Sequence, residues 1–368
     1  MNKTKFIPGR IAELDLLRGF FIFAIILDHA QHIPDIHMYV TGQGKLWVSA
    51  AEGFFLISGL LTGYIRGFRQ KDRPMLHQTK KLVSRGLLLY VWAVLITFVC
   101  VALVGSLPVA ISHVARLPDP DQISSLSTYL INVFSGEFIY DWVYFLILYA
   151  VIMVIAPLFI WAARKGKLLI FMATSALAYG ASFLMKDPYG PLQWQFIFFS
   201  AASAGYYLPN IVDWLLDHPR SKKWLVYGSM TFTVLTFIVS YFFVLAWPAG
   251  LLLNREHYVV IHDMLEHVFS NNPLMPARVA LSFVWFAGMI SLFHTLKRPI
   301  SKYLGWMFGQ FGNHSLSVYC LQAVVLIFFN WLVPFTSNFF YNFFINLALL
   351  LIIWLIMRTR LARKILPR

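Results

Sequence analysis

Apolar residues run through this chain in blocks of about twenty, the length of helix that crosses a bilayer, and short polar or basic clusters separate the blocks. Ten blocks stand out, at about 11–33, 46–66, 84–106, 141–162, 168–185, 194–215, 223–247, 277–296, 314–335 and 338–357. The pattern predicts an all-α, polytopic integral membrane protein of about ten transmembrane helices. No internal repeat or low-complexity tract divides it, so residues 1–368 read as a single domain. The first block is not a cleavable signal sequence: it carries charges, lacks a small-residue cleavage site and runs straight into further spans.

Composition supports that solvent assignment. With 59% hydrophobic and 12% charged residues and a mean hydropathy of +0.67, the chain cannot present a mainly polar surface to water. The net charge of +14 does not point to nucleic acid, because the basic residues fall in short clusters between apolar blocks rather than on one soluble face. Placing the amino terminus in the cytoplasm assigns 24 basic residues to inner segments (3–10, 66–85, 164–167, 220–223, 297–302 and 358–368). Only five then lie outside: Lys45, Arg116, Lys186, Arg255 and Arg278, with Arg18 left in the membrane. That asymmetry predicts both termini on the cytoplasmic face of an inner membrane. Two long outer loops, about 107–140 and 248–276, then cap an extracytoplasmic entrance. Cys100 and Cys320 each sit inside an apolar run and imply neither a disulfide framework nor a metal cluster.

Candidate chemistry begins in residues 14–33, LDLLRGFFIFAIILDHAQHI, where Asp15, Arg18, Asp28 and His29 interrupt an apolar helix. At about 100° per residue, Arg18 and His29 differ by only about 20° around the axis, and Asp15 lies about 60° from Arg18. Asp15, Arg18 and His29 therefore share one face, with the last two about 16 Å apart along it. Asp28, about 80° from the Arg18 direction, borders that face. An ionised group facing lipid costs about 2.5–3.5 kcal/mol on insertion scales, so the face must look into protein or a water-filled cavity. A plainer reading stays open, in which Asp15 and Arg18 form an i, i+3 ion pair, Arg18 snorkels and His29 rests at the outer interface. In the second block, SAAEGFFLISG places Glu52 at about the depth of His29, where a carboxylate could orient an imidazole and stabilise its protonated form.

These residues resemble a known family. Asp15 through Arg18–Gly19 to His29 is similar to the Arg-x10-His signature of membrane acyltransferase family 3, and FFLISG at 54–59 resembles its second-helix motif. SAAE at 49–52 and YFLILYAVIMVIAPL at 144–158 are similar to the OpgC branch, whose members succinylate osmoregulated periplasmic glucans. HSLSVYCLQ at 314–322 resembles a late Ser-x-x-Tyr-x-x-His stretch, with Gln322 standing where the family has histidine. The resemblance implies a ten-helix core and transfer of an acyl group, succinyl or acetyl, from cytoplasmic acyl-CoA to a hydroxyl of an extracytoplasmic glycan.

That chemistry can be set against the residues. The acceptor hydroxyl must lose a proton as it attacks, which suits neutral His29 as general base; an acyl-imidazole route uses the same residue. Glu52 is the expected orienter, with Asp28 as the substitute. Arg18 is assigned to the donor's polar arm or to developing negative charge, with Asp15 fixing its guanidinium. Among the seven basic residues of the second-to-third connection, Lys81 and Arg85 resemble the family's basic pair and are the expected donor-phosphate ligands, while the rest obey the positive-inside rule. In the outer loop, His257, His262, Asp263, Glu266 and His267 match no strong metal motif, so no metal is expected. That loop reads as an amphipathic surface helix, with Trp247 and Tyr258 as a sugar-stacking surface. A transporter or flippase for a glycan or lipid-linked substrate is the competing class, because intramembrane polar groups would serve it equally.

Overall fold

A computed structural model of the chain describes residues 11–107, 125–185, 190–244 and 254–367. Lys3, Lys5, Arg10, Arg116, Lys186, Trp247 and Arg368 lie outside these described residues. Among the described residues the structure is helical, with one isolated β-bridge between Asn271 and Leu274. The principal helices are α1 (Ala12–Ala30), α2 (Ala50–Leu61), α3 (Met75–Ser106), α4 (Tyr144–Arg164), α5 (Leu168–Ser182), α6 (Gly190–Tyr206), α7 (Pro219–Val244), α8 (Arg255–Val268), α9 (Pro276–Thr295), α10 (Gly305–Asn313), α11 (Ser315–Leu332) and α12 (Phe339–Arg358).

Helix occupies each of the ten expected blocks. Six helices, Met75–Ser106, Asp141–Arg164, Pro219–Val244, Pro276–Thr295, Ser315–Leu332 and Phe339–Arg358, are long and apolar enough to cross a membrane. The other four differ for physical reasons. Helix α1 carries Glu13, Asp15, Arg18 and Asp28; α2 continues as a π-helix over Thr62–Arg69; and α5 and α6 are only 15 and 17 residues long. In the two segments expected to lie outside, α8 is a helix with only Tyr258 buried, and a second short helix covers Leu126–Ser135.

The chain divides into two compact units. One comprises residues up to Phe21, Gly44–Gln78 and Ala156–Gly312; the other comprises Ile22–Gln43, Thr79–Ile155 and the residues from Asn313 onward. In the first unit, α2 and α6 meet backbone to backbone. A Cβ on Gly63 would stand 1.8 Å from the Ala202 carbonyl oxygen, and one on Gly205 would stand 2.0 Å from that of Leu60. Only hydrogen fits there, the small-residue packing that brings membrane helices together when apolar burial gives no net drive. The same device seats the start of α1 on α10: a Cβ on Gly19 would meet the Phe308 carbonyl oxygen, and one on Gly312 that of Asp15, each at 1.9 Å. The glycine that follows Arg18 therefore serves helix contact.

In the second unit, Thr97 of α3 accepts the Tyr140 N–H at 3.2 Å, which fixes the turn leading into α4. The carboxy-terminal end is tied down by a hydrogen bond from the Ser317 hydroxyl to the Pro367 carbonyl.

Candidate active site

His29 lies one residue from the end of α1 and is half-buried. Its Nδ1 stands 3.2 Å from Gln322 Oε1 on α11. An amide oxygen can only accept, so Nδ1 carries the hydrogen and Nε2 keeps its lone pair. One face of the imidazole stacks on Trp142, with centroids 5.6 Å apart and planes 14° from parallel. Trp142 is in turn met edge-on by Tyr140 at 5.5 Å. The ring is thus held by one hydrogen bond and one aromatic face, with its basic nitrogen left on the other edge. Gln322 Nε2, and Asp28 Oδ1 on the residue preceding His29, are buried without hydrogen-bond partners, each a group for which an incoming polar ligand would supply the missing contact.

The partner of the imidazole is therefore Gln322, where Glu52 was expected. The Glu52 carboxylate is spent elsewhere. Serine at position 49 and glutamate at 52 form a capping box at the start of α2: Ser49 N–H and Oγ–H both donate to Glu52 Oε2, at 2.9 and 2.6 Å, and Ser49 Oγ accepts from the Ala51 N–H. The other oxygen accepts Arg278 Nε at 2.5 Å in a buried ion pair. Arg278, counted above among the outer cations, is 4% exposed and also donates to the carbonyls of Leu46 and Phe269 at 3.2 and 3.0 Å. The S-x-x-E spacing is itself the signal that could have revealed the capping role.

Downstream of His29, the segment to Thr41 is held by two asparagines of α12. Asn346 Nδ2 donates to the His32 carbonyl at 2.9 Å and to Asp35 Oδ2 at 2.8 Å, and Asn342 Nδ2 donates to the Pro34 carbonyl at 3.1 Å. His37 Nδ1–H donates to Asp35 Oδ2 at 2.5 Å while its ring stacks on Phe343. Burial alone would raise the Asp35 carboxyl, but hydrogen bonds from His37, Asn346 and the Met38 amide outweigh it and hold it below the usual carboxylate range. Sequence reasoning passed over this cluster. Its signal was two asparagines one turn apart in an otherwise apolar final helix, where polar side chains are costly unless used.

Asp15 and Arg18 are half-buried on the first turns of α1. Lys81 is exposed and Arg85 half-buried on α3, the latter within electrostatic reach of Cys320 on α11. Part of the remaining basic loop is hydrogen-bonded within itself and to Arg164 of α4. Arg164 donates to the carbonyls of Arg73 and Gln70, each at 2.8 Å, and Arg66 reaches Gln70 Oε1 at 3.0 Å. On α8, His262, Asp263 and Glu266 bring ligand atoms within 4.8 Å of one another, with the two acids exposed.

The family described as OpgC protein matches residues 10–364. No curated protein and no solved structure matches.

Proposed function

The chain belongs to the OpgC protein family, and from that premise we propose that it is a multi-pass inner-membrane O-acyltransferase. It moves a succinyl or acetyl group from cytoplasmic acyl-CoA to a hydroxyl of an extracytoplasmic glycan, with ten spans and both termini cytoplasmic. The observation that carries this reading is the Nδ1–H bond from His29 to Gln322, which leaves Nε2 basic in a half-buried setting. Nε2 takes the proton of the acceptor hydroxyl as its oxygen attacks the thioester carbonyl. The tetrahedral adduct then collapses, the carbon–sulfur bond breaks, and the imidazolium returns the proton to the departing thiolate. Gln322 takes the orienting role first given to Glu52, with the unpartnered Asp28 oxygen available to the acceptor's hydroxyls. Lys81 and Arg85 hold the donor's phosphates, and Arg18, set by Asp15, meets its polar arm or the charge that develops during transfer.

Purified protein given radiolabelled succinyl-CoA or acetyl-CoA and a glucan tests this. His29→Ala is expected to lose about 10²–10⁴-fold in transfer, while Lys223→Ala, an exposed change on α7, retains it. Glycan flux across liposomes that persists in His29→Ala, with no donor consumed by the unaltered protein, would establish transport instead.

A further inference from the structure

Within the first unit, a cavity of about 410 Å³ opens among the segment before α2, the end of α7, α8 and the start of α9. That volume lies in the range of small-molecule sites, about 300–1,000 Å³. Its residues include Lys45, Trp47, His262, Glu266, Phe269 and Arg278. Two of them carry buried donors with no acceptor: Trp47 Nε1–H and Arg278 Nη2–H have no hydrogen-bond partner, although the residues are only 7% and 4% exposed. Buried donors are almost always satisfied, and two orphans lining one cavity point to acceptor oxygens supplied from outside the chain. The remaining edges of the Arg278 guanidinium are occupied by Glu52 and by the Leu46 and Phe269 carbonyls, so it cannot swing to find a partner of its own.

The rest of the lining narrows the ligand. Trp47 stacks on Phe269, with centroids 4.4 Å apart, and makes an apolar wall beside those donors. His262 Nδ1–H is committed to the Phe243 carbonyl at 2.7 Å, and its Nε2 stands 3.5 Å from the exposed Glu266 carboxylate. Formal charge is balanced: Lys45 and Glu266 both line the cavity, and Arg278 is neutralised by Glu52. A strong anion gains little there. A neutral ligand with both hydroxyl donors and oxygen acceptors around an apolar ring face gains on every side, and that is the chemistry of a hexose. We propose that this cavity is a glycosyl-binding subsite, in which Trp47 Nε1–H and Arg278 Nη2–H donate to sugar oxygens and Glu266 accepts from sugar hydroxyls. It shares no residue with the His29–Gln322 pair. That the bound sugar belongs to the glycan acceptor rests on the acyltransferase reading.

The full chain in phosphatidylcholine nanodiscs, free of maltoside detergents that would compete, is titrated with a fluorescently labelled glucose hexasaccharide in the absence of acyl donor. Saturable binding is expected, weakened about fivefold or more, the worth of one hydrogen bond, by Trp47→Phe or by Glu266→Gln. Trp47→Phe keeps the aromatic wall and removes only the donor. Glu266 has its side chain 74% exposed, so its amide variant folds and decides the matter if the Trp47 variant does not. No saturable binding by the unaltered protein, or affinity within twofold in every folded variant, overturns the proposal. Transfer with an unchanged KM for glucan in these variants sinks the subsite and spares the acyltransferase. Trp47-dependent binding without transfer does the reverse.

Discussion

The imidazole of His29 owes its tautomer to one amide oxygen. Gln322→Leu, which keeps size and removes the acceptor, is expected to lower kcat by about tenfold or more with little change in the KM for donor, while Gln322→Glu, which retains an acceptor for Nδ1–H, recovers part of that loss. Equal kcat in all three proteins would refute the orienting role. A second residue, Asp35, sets a pH dependence. Because its carboxyl is held below the usual range, it contributes stability fully present above the unfolded value of about 3.9 and lost as pH falls through the lower folded value. The difference in thermal unfolding temperature between the unaltered protein and Asp35→Asn is thus expected at pH 6 and to shrink toward pH 3. His29 was legible because an ionisable group in a hydrophobic block demands a reason. Its partner was not, because 293 positions separate the two and spacing speaks only of neighbours on one helix.

Helix α2 shows how one short string can be read two ways. The glutamate of SAAE looked like a companion for the histidine because depth in the bilayer was the only coordinate the sequence offered. In the folded helix it closes its own amino-terminal turn and neutralises Arg278 on α9. Glu52→Met strands a buried guanidinium and is expected to cost about 3–5 kcal/mol. The double variant Glu52→Met, Arg278→Met is expected to recover more than half of that loss, a coupling measured by thermal unfolding of the two single variants and the double. Additive losses would mean that the two side chains do not depend on each other. That helix lies in each apolar block was readable from hydropathy, but the boundaries were not: α3 begins at Met75, ahead of its block, and the block at 194–215 holds two helices, Gly190–Tyr206 and Leu208–Asp217. The close approaches at Gly63 and Gly205 were not, because a glycine in sequence does not announce which backbone it will meet.

For the whole molecule, the distribution of basic residues sets a sidedness that chemical labelling can read. Cys100 and Cys320 are buried, so single cysteines introduced elsewhere report cleanly. In intact spheroplasts, Lys45→Cys is expected to react with an impermeant maleimide, whereas Lys71→Cys reacts only after permeabilisation. The opposite pattern would invert the proposed topology. Several long apolar helices mark the chain as a multi-pass membrane protein, and the family match spans nearly all of it.

The hydrogen bonds that fix the histidine and the segment after it come from Gln322, Asn342 and Asn346, all contributed by the last two principal helices. During biosynthesis His29 emerges from the ribosome early and these hydrogen-bonding supports nearly last. A nascent chain halted before α11 carries the imidazole with Trp142 to stack on but without its Gln322 hydrogen bond. On the proposed acyltransferase reading, the contact that orients the base is completed only late in translation, so a half-made chain is expected to transfer no acyl group.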